Sequence, residues 1–346
     1  MTRPRPTPDP ARRVRRSTGS LTLADVARIA GVSPISVSRA LNTPGLVSPD
    51  TLARIRDAVT RTGYVPNRVA GGLATSRSRL VAVIVPTIAS PMFLETVQTL
   101  TDALAGNGYQ VMLGESGYDG TREDAILSAI IGRRSDGVVL TGVMHSPEGR
   151  RRLTAARIPV VETWDLTATP IDMLVGFSHE KAGAASAEYL HGRGARNIAM
   201  ISADDLRAGM RQRGFSEAAS RLGLGKMPVR LVHAPTTIGD GRRALAAVMD
   251  RHPGVDAICC SSDVLALGAL IEAKARGIDV PGRLRVFGFG DLDFARDADP
   301  PLSTVRIDGA AIGLQAARFV LDRIAGAAEG PRIVDLGFTV VARQSA

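Results

Sequence analysis

Cysteine is nearly absent from this 346-residue chain, aromatic residues make up only 4%, and no uninterrupted apolar run is long enough to span a bilayer. A transmembrane helix needs roughly 18 or more such residues, so no membrane insertion is expected. The two cysteines, Cys259 and Cys260, are adjacent inside a strand-like run. Neighbours on a strand point to opposite faces, so they should not pair and are expected to be reduced thiols in or near a core. That absence of a disulfide framework places the protein in the cytoplasm. The five histidines are scattered without metal-ligand spacing, no phosphate-binding loop appears, and no Gly-x-Ser-x-Gly elbow follows a strand. The expectation is therefore a non-enzyme with no metal and no cofactor. Arg12-Arg13 and Arg15-Arg16 invite a twin-arginine export reading, but Asp25 and Arg28 interrupt the stretch where an apolar signal core would have to lie.

Acidic charge is also missing from one place in particular. Residues 1 to 79 hold 14 Arg, four Asp and no Glu, a balance of +10, whereas the remaining 267 residues are close to neutral at −1. The whole excess of positive charge thus sits in the first quarter, as a segment that meets a polyanion requires. Residues 1–20, with Pro at 4, 6, 8 and 10, read as a disordered basic arm.

Ordered signals begin at Thr22. Thr22 with Asp25 forms a capping-box pattern, and Leu23, Val26, Ala27 and Ala30 fall on one helical face. Gly31 ends that helix, Ser33 and Pro34 start another as N-cap and first residue, and Val37, Ala40 and Leu41 form its inner face. Ser48 and Pro49 repeat the start signal for a third helix carrying Leu52, Ile55 and Val59, closed by Gly63. Two short helices across a glycine turn, backed by a third, predict a helix-turn-helix domain over 21–66.

From Leu80 the pattern changes to short β-rich runs alternating with helical stretches: 80–85, 109–113, 137–140, 160–163, 197–201, 257–260, 284–287 and 304–307. Such alternation predicts an α/β core of doubly wound parallel sheets, with ligands bound at the carboxyl ends of the strands. Residues just after these runs are the candidates for a binding cleft: Thr87, Ser90, Met92, Phe93, Glu115, Tyr118, Thr141, Glu162, Trp164 and Asp165, and from later runs Arg207, Arg211, Asp263 and Asp291. Trp164, the single tryptophan, lies beside two acids and could stack on a sugar ring while carboxylates take its hydroxyls. Some of these polar groups are expected to serve as helix caps or internal partners instead.

Three runs, Leu23 to Ser33, Val37 to Asn42 and Gly63 to Ala70, resemble the head of lactose/galactose-type (LacI/GalR) transcription regulators. The resemblance continues to about residue 343 and implies the architecture of periplasmic sugar-binding proteins for 80–346. Lobe 1 would comprise about 80–176 plus 305–325, and lobe 2 about 177–304 plus 326–346, with crossovers near Gly176, Thr304 and Gly326. It implies a homodimer on double-stranded palindromic operator DNA, controlled by a small-molecule effector. By similarity Pro34, Ile35 and Arg39 read bases in the major groove, Arg39 having the geometry to grip guanine. An alternative leaves Arg39 on a phosphate or in a helix-surface ion contact. Thr22, Ser33, Ser36, Ser38, Asn42, Asn67 and Arg68 would complete the DNA face as positioning groups. Residues 67–79 match the family's hinge, and Leu73 its minor-groove wedge; otherwise 67–79 is a plain linker and Leu73 packs on the core.

Arg211-x-x-Gly214-Phe215 and Ser262-Asp263-x-x-Ala266-x-Gly268 match the family's effector-contacting segments. Stretches at 108–113, 161–165, 171–177 and 335–339 look like the gluconate-operon branch, which implies a sugar acid such as gluconate as inducer. Arg207 and Arg211, four apart on one helix face, could grip its carboxylate. Sensing of a neutral sugar or purine, or use of the ligand as corepressor, stays open.

Overall fold

The computed structural model describes residues 21–65, 77–118, 122–144, 146–327 and 333–346. It divides into two units, residues 1–78 and 79–346. The expected arm, together with Asn67, Arg68 and Leu73, lies outside the described residues.

In the first unit the helices are α1 (Leu23–Ala30), α2 (Pro34–Asn42) and α3 (Pro49–Thr62). The capping box is present in full: the Thr22 hydroxyl accepts from Asp25 N–H, and the Asp25 carboxylate accepts from Thr22 N–H. Gly31 and Gly63 both sit at φ 64°, the left-handed conformation that ends a helix at no steric cost for glycine. Val26, Ala27, Ala30, Val37, Ala40, Ile55, Ala58 and Tyr64 bury one small shared core.

The second unit carries three sheets. The first is parallel throughout, in the order β11 (Ile333–Asp335), β5 (Met173–Gly176), β4 (Val160–Thr163), β3 (Gly137–Thr141), β1 (Leu80–Val85), β2 (Gln110–Glu115). Its crossover helices are α4 (Leu94–Gly106), α5 (Glu123–Gly132) and α6 (Pro147–Ala156). The second sheet, also parallel, runs β7 (Val229–Val232), β6 (Ile198–Ala203), β8 (Ala257–Cys260), β9 (Arg285–Phe287), with helices α7 (His179–Gly192), α8 (Leu206–Arg221), α9 (Ile238–Arg251) and α10 (Asp263–Ala275). A two-stranded antiparallel ribbon joins β10 (Thr304–Arg306) to β12 (Thr339–Val341).

The chain leaves the first sheet after Gly176 and returns through β10 into α11 (Gly309–Ala325), which packs on α4 and on strands of the first sheet. The third passage departs from expectation. The resemblance puts all of 326–346 in the second lobe, yet β11 completes the first sheet beside β5, with Val334 opposite Val175. Crossing back happens between β11 and β12, after which Ser345 Oγ donates to Val286 O. Strands of three or four residues, such as β5, β7, β11 and β12, are too short for an alternating pattern to stand out, so neighbouring backbone decides where they pair.

Cys259 and Cys260 are free and buried, the first with the cluster containing Phe215 and Phe287, the second with that containing Leu245 and Leu284. Burial pushes the Cys259 thiol up to about 12, so it stays protonated. Among the described residues no helix is long and apolar enough to cross a membrane, and no group of His, Cys, Asp or Glu is placed to hold a metal ion.

Candidate functional site

Two surfaces carry the chemistry, one in each unit. In the first, α2 turns Val37 and Ala40 inward, which forces Pro34, Ile35, Arg39 and Asn42 outward on the same helix. Ile35 is 65% exposed, an apolar side chain left largely in water. Arg39 has no ion-pair partner among the described residues, unlike Arg28, Arg54 and Arg61, which pair with Asp25, Asp50 and Asp57. Its guanidinium, one helical turn from Ile35, is a cation outside any ion pair among the described residues. Ser33 Oγ caps the helix by accepting from Ser36 N–H at 3.2 Å, and Asn42 Nδ2 donates to Ser38 O at 2.9 Å. These hydroxyls and amides therefore hold the helix terminus as well as facing outward. The Thr22 hydroxyl is committed to its cap, donating to Asp25 Oδ2 at 2.7 Å. The Thr22 hydroxyl and backbone bonds, with Arg28 beside them, lower the Asp25 carboxyl to about 2.

In the second unit the carboxyl ends of the parallel strands converge on a cleft with two adjoining cavities. The larger, of about 290 Å³, is lined by Ser116, Tyr118, Glu123, Thr141, Asp165 and Arg207 among others. That is close to the roughly 300 Å³ at which small-molecule pockets begin. The smaller, of about 50 Å³, lies deeper among Ser90, Phe93, Trp164, His179, Arg211 and Ser261. Tyr118, Asp205 and Arg207 belong to both.

Arg211 anchors the deep end. Nη1 donates to His179 Nδ1 at 2.9 Å, Nη2 donates to Ser261 O at 3.1 Å, and the guanidinium lies 4.0 Å from the Phe289 ring centroid. Its Nε is buried with no hydrogen-bond partner. A buried guanidinium N–H without an acceptor is costly unless a ligand oxygen supplies one. Desolvation lowers the Arg211 pKa to about 10, so it is still cationic at neutral pH. Arg207, one helical turn earlier on α8, donates to Thr141 O and lies 5.5 Å from the Phe93 ring. Its pKa is lowered by burial, an effect that Asp165 and Asp205 oppose. Asp205 also caps α8, accepting from Ala208 N–H at 3.0 Å.

Ser90, Met92, Phe93, Tyr118, Thr141, Trp164, Asp165, Arg207 and Arg211 thus come together around the cleft. Others expected there from sequence do not line either cavity. Glu162 is fully buried, its two oxygens accepting from Met144 N–H and Ile171 N–H at 2.8 Å each. Asp263 is fully buried, accepting from Thr304 Oγ1 at 2.6 Å and from Leu292 N–H at 2.8 Å. Burial raises its pKa to about 6. Asp291 forms an ion pair with Arg343 at 2.7 Å. Thr87 Oγ1 accepts from Ala89 N–H within its own turn, and Glu115 sits half-buried at the end of β2. The position of Glu162 near the end of β4, and of Asp263 and Asp291 after strands, marks them as ligand groups, but Glu162 and Asp263 accept hydrogen bonds from the fold, and Asp291 is held in its ion pair although its Oδ1 has no hydrogen-bond partner. Trp164 differs from expectation too: it is 2% exposed, with edge-on contacts to Phe93 and Phe177, and Nε1 donates to Thr96 Oγ1 at 3.0 Å. It forms the wall of the deep cavity rather than a free stacking platform.

Ser262, from the segment singled out in the sequence, lines the deep cavity, and so do His179, Asp205, Thr236 and Ser261, which had not stood out there. Asp205 carries a signal as the N-cap residue two positions before Arg207. His179, one residue after the N-cap Ser178, carries none.

Residues 22–67 match the model of the bacterial regulatory proteins, lacI family, and residues 187–346 match the periplasmic binding protein-like domain. The HTH-type transcriptional regulator GntR of Pseudomonas aeruginosa is 37% identical over 332 residues, covering 95% of this chain and 97% of that protein. Among solved structures, a LacI family transcriptional regulator from Silicibacter pomeroyi aligns with a TM-score of 0.88 at 32% identity, over 94% of this chain and 99% of that one. The transcription regulator GntR from Chromobacterium violaceum aligns with a TM-score of 0.73 at 35% identity, over 77% of this chain and 98% of that one.

Proposed function

The chain belongs to the lacI family of bacterial regulatory proteins, and from that premise we propose a repressor whose grip on a palindromic operator is released by a sugar acid of the gluconate type. It is a sequence-specific DNA-binding transcriptional regulator and not an enzyme. On this reading α2 enters the major groove, with Arg39 on base edges and Ile35 and Pro34 against thymine methyls. Two copies of the chain place two such helices on the half-sites of a palindrome.

The unpartnered buried Nε of Arg211, beside the cationic Arg207, carries the choice of effector. A carboxylate supplies the missing acceptor and the opposite charge at once, whereas Asp165 and Asp205 accept from hydroxyls of the same molecule. The resemblance of four segments to the gluconate-operon branch supports the same class. Release follows if the effector binds one arrangement of the two lobes more tightly than the other. Titration calorimetry with gluconate, ketogluconates and neutral hexoses tests this. Tighter binding of a neutral hexose than of any aldonate would overturn the sugar-acid assignment, and tighter operator binding with ligand would make that ligand a corepressor.

A further inference from the structure

Five non-glycine residues among those described have positive φ, and three of them are arginines: Arg79 at 58°, Arg134 at 54° and Arg157 at 51°. All three stand at one end of the first sheet. Arg79 immediately precedes β1, Arg134 lies three residues before β3, and Arg157 three before β4. These strands are consecutive neighbours in the sheet, so the three positions span about 10 Å at the usual strand spacing.

A left-handed backbone crowds any Cβ, and glycine or asparagine is the usual occupant. The corresponding turns of the second sheet follow that rule, with Gly194 before β6, Gly223 before β7 and Gly277 before β9, all at positive φ. In the first sheet Gly108 before β2 follows the same rule, and Arg79 has a packing reason, its guanidinium lying 5.1 Å from the buried Tyr109 ring; Arg134 and Arg157 have no such ring contact or ion pair among the described residues. Arg133, at an ordinary φ of −86°, adds a fourth cation to this end, and Arg77 a fifth. Arg77, Arg79, Arg133, Arg134 and Arg157 are all exposed. Of the acidic groups at this end, Asp172 pairs with Arg323, and Asp136 accepts from Arg79 N–H while keeping its charge. Helix C-termini favour a nearby cation, which suits Arg133 and Arg157 but gives no reason for the strained backbone.

This is the end of the sheet at which the chain arrives from the DNA-binding head. Twelve chain steps separate Val65 from Arg77, a reach of at most about 43 Å. Duplex DNA carries a phosphate charge every ~1.7 Å of its axis, so a duplex gripped by the head offers a dense line of negative charge to any cation that this reach can bring to it. We infer that the arginine rim formed by Arg133, Arg134 and Arg157 is an auxiliary contact surface for the phosphate backbone of the duplex beside the bases read by α2. The inference rests on the DNA-binding reading and adds to it a sequence-independent grip by the core.

The test uses the full chain and a duplex recovered by selection from a random-sequence pool, in a long form and one trimmed to the palindrome. Replacing Arg134 and Arg157 together by Gly removes two charges and relieves the backbone. The expected result is an unchanged or higher melting temperature, with weaker binding to the long duplex. The plot of log affinity against log salt becomes shallower by about 0.9 for each phosphate no longer neutralised. Arg134→Lys with Arg157→Lys should recover most of the binding. If the glycine variant melts lower, Arg133→Gln reads the same charge without touching a strained φ. Identical affinity and salt slope in the variants and the unaltered chain would overturn this inference alone. No duplex binding by the unaltered chain would sink the DNA-binding reading as well.

Discussion

Arg211 Nη1 donates to His179 Nδ1 at 2.9 Å, and that single hydrogen bond decides where the histidine proton sits. With Nδ1 accepting, the proton is on Nε2, which donates to Trp164 O at 2.9 Å. Burial first, then the charges of Arg211 and Arg207, hold the His179 pKa well below 6.5, so the ring is neutral. A neutral imidazole thus orients the guanidinium of Arg211, which lines the deep cavity, and ties it to the backbone of the first lobe.

His179→Ala removes the acceptor from a buried charged group. Hydrogen bonds to charged groups contribute about 1.5–3 kcal/mol, so effector affinity is expected to fall by roughly 10- to 150-fold, read by calorimetry. The pH dependence follows from the same depressed pKa. Below 6.5 the unfolded chain binds a proton that the folded ring refuses, so His179 makes stability fall as pH drops from 6.5 toward the folded pKa. The melting temperature of His179→Ala should decline less over that range than that of the unaltered chain.

Arg211→Ala should abolish the effector response while leaving operator binding intact. Arg211→Lys should not rescue it, because a lysine lacks the planar set of donors that reaches His179, Ser261 O and the cavity together. A gel-shift titration with effector distinguishes these outcomes; normal release by either variant would remove Arg211 from the site.

Glu162 lies near the carboxyl end of β4, where a ligand group could stand, yet its hydrogen bonds predict a different phenotype. Glu162→Gln turns an amide N–H₂ toward a backbone N–H, either that of Met144 or that of Ile171. The loss should be about 1–3 kcal/mol of stability in denaturant titration, with effector affinity at temperatures where the variant is folded changed less than threefold.

Gly183 and Gly214 let α7 and α8 touch. A Cβ on Gly183 would collide with the Arg211 carbonyl, and one on Gly214 with the Glu180 carbonyl. Either alanine substitution must push the two helices apart, carrying His179 and Arg211 with them. The expected result is a loss of about 1–3 kcal/mol together with weakened effector binding, a pairing that Glu162→Gln should not show.

Arg39→Ala should lower operator affinity by about 1–3 kcal/mol without unfolding the first unit, since Arg39 is exposed and outside its core. Relaxed preference at one base pair in a selection experiment would place it on a base edge. Uniform weakening across sequences would place it on a phosphate.

How much of this was legible in the residues depended on the range of the forces involved. Thr22, Asp25, Gly31, Ser33 and Pro34 bound their helices through contacts within four positions, and the outward face of α2 followed from the inward placement of Val37 and Ala40. The run Leu80–Val85 and the buried, unpaired Cys259 and Cys260 were equally local. Arg211 and Arg207 were legible as a pair because four residues make one turn. The fates of Glu162 and Asp263 were not, because their partners lie in distant segments or in backbone N–H groups that carry no side-chain signature.

The sequence by itself determined the division into a cationic head and an electrically balanced α/β core, the helix caps, and the face that α2 presents. All of these depend on charge count, periodicity and turn chemistry acting over a few residues. Only the tertiary structure decided that β11 belongs to the first sheet, that His179 is the partner of Arg211, and that arginines in left-handed turns collect at one end of three adjacent strands. Each of those depends on which distant segments the sheet brings together, and strand pairing is made through backbone groups that every residue shares.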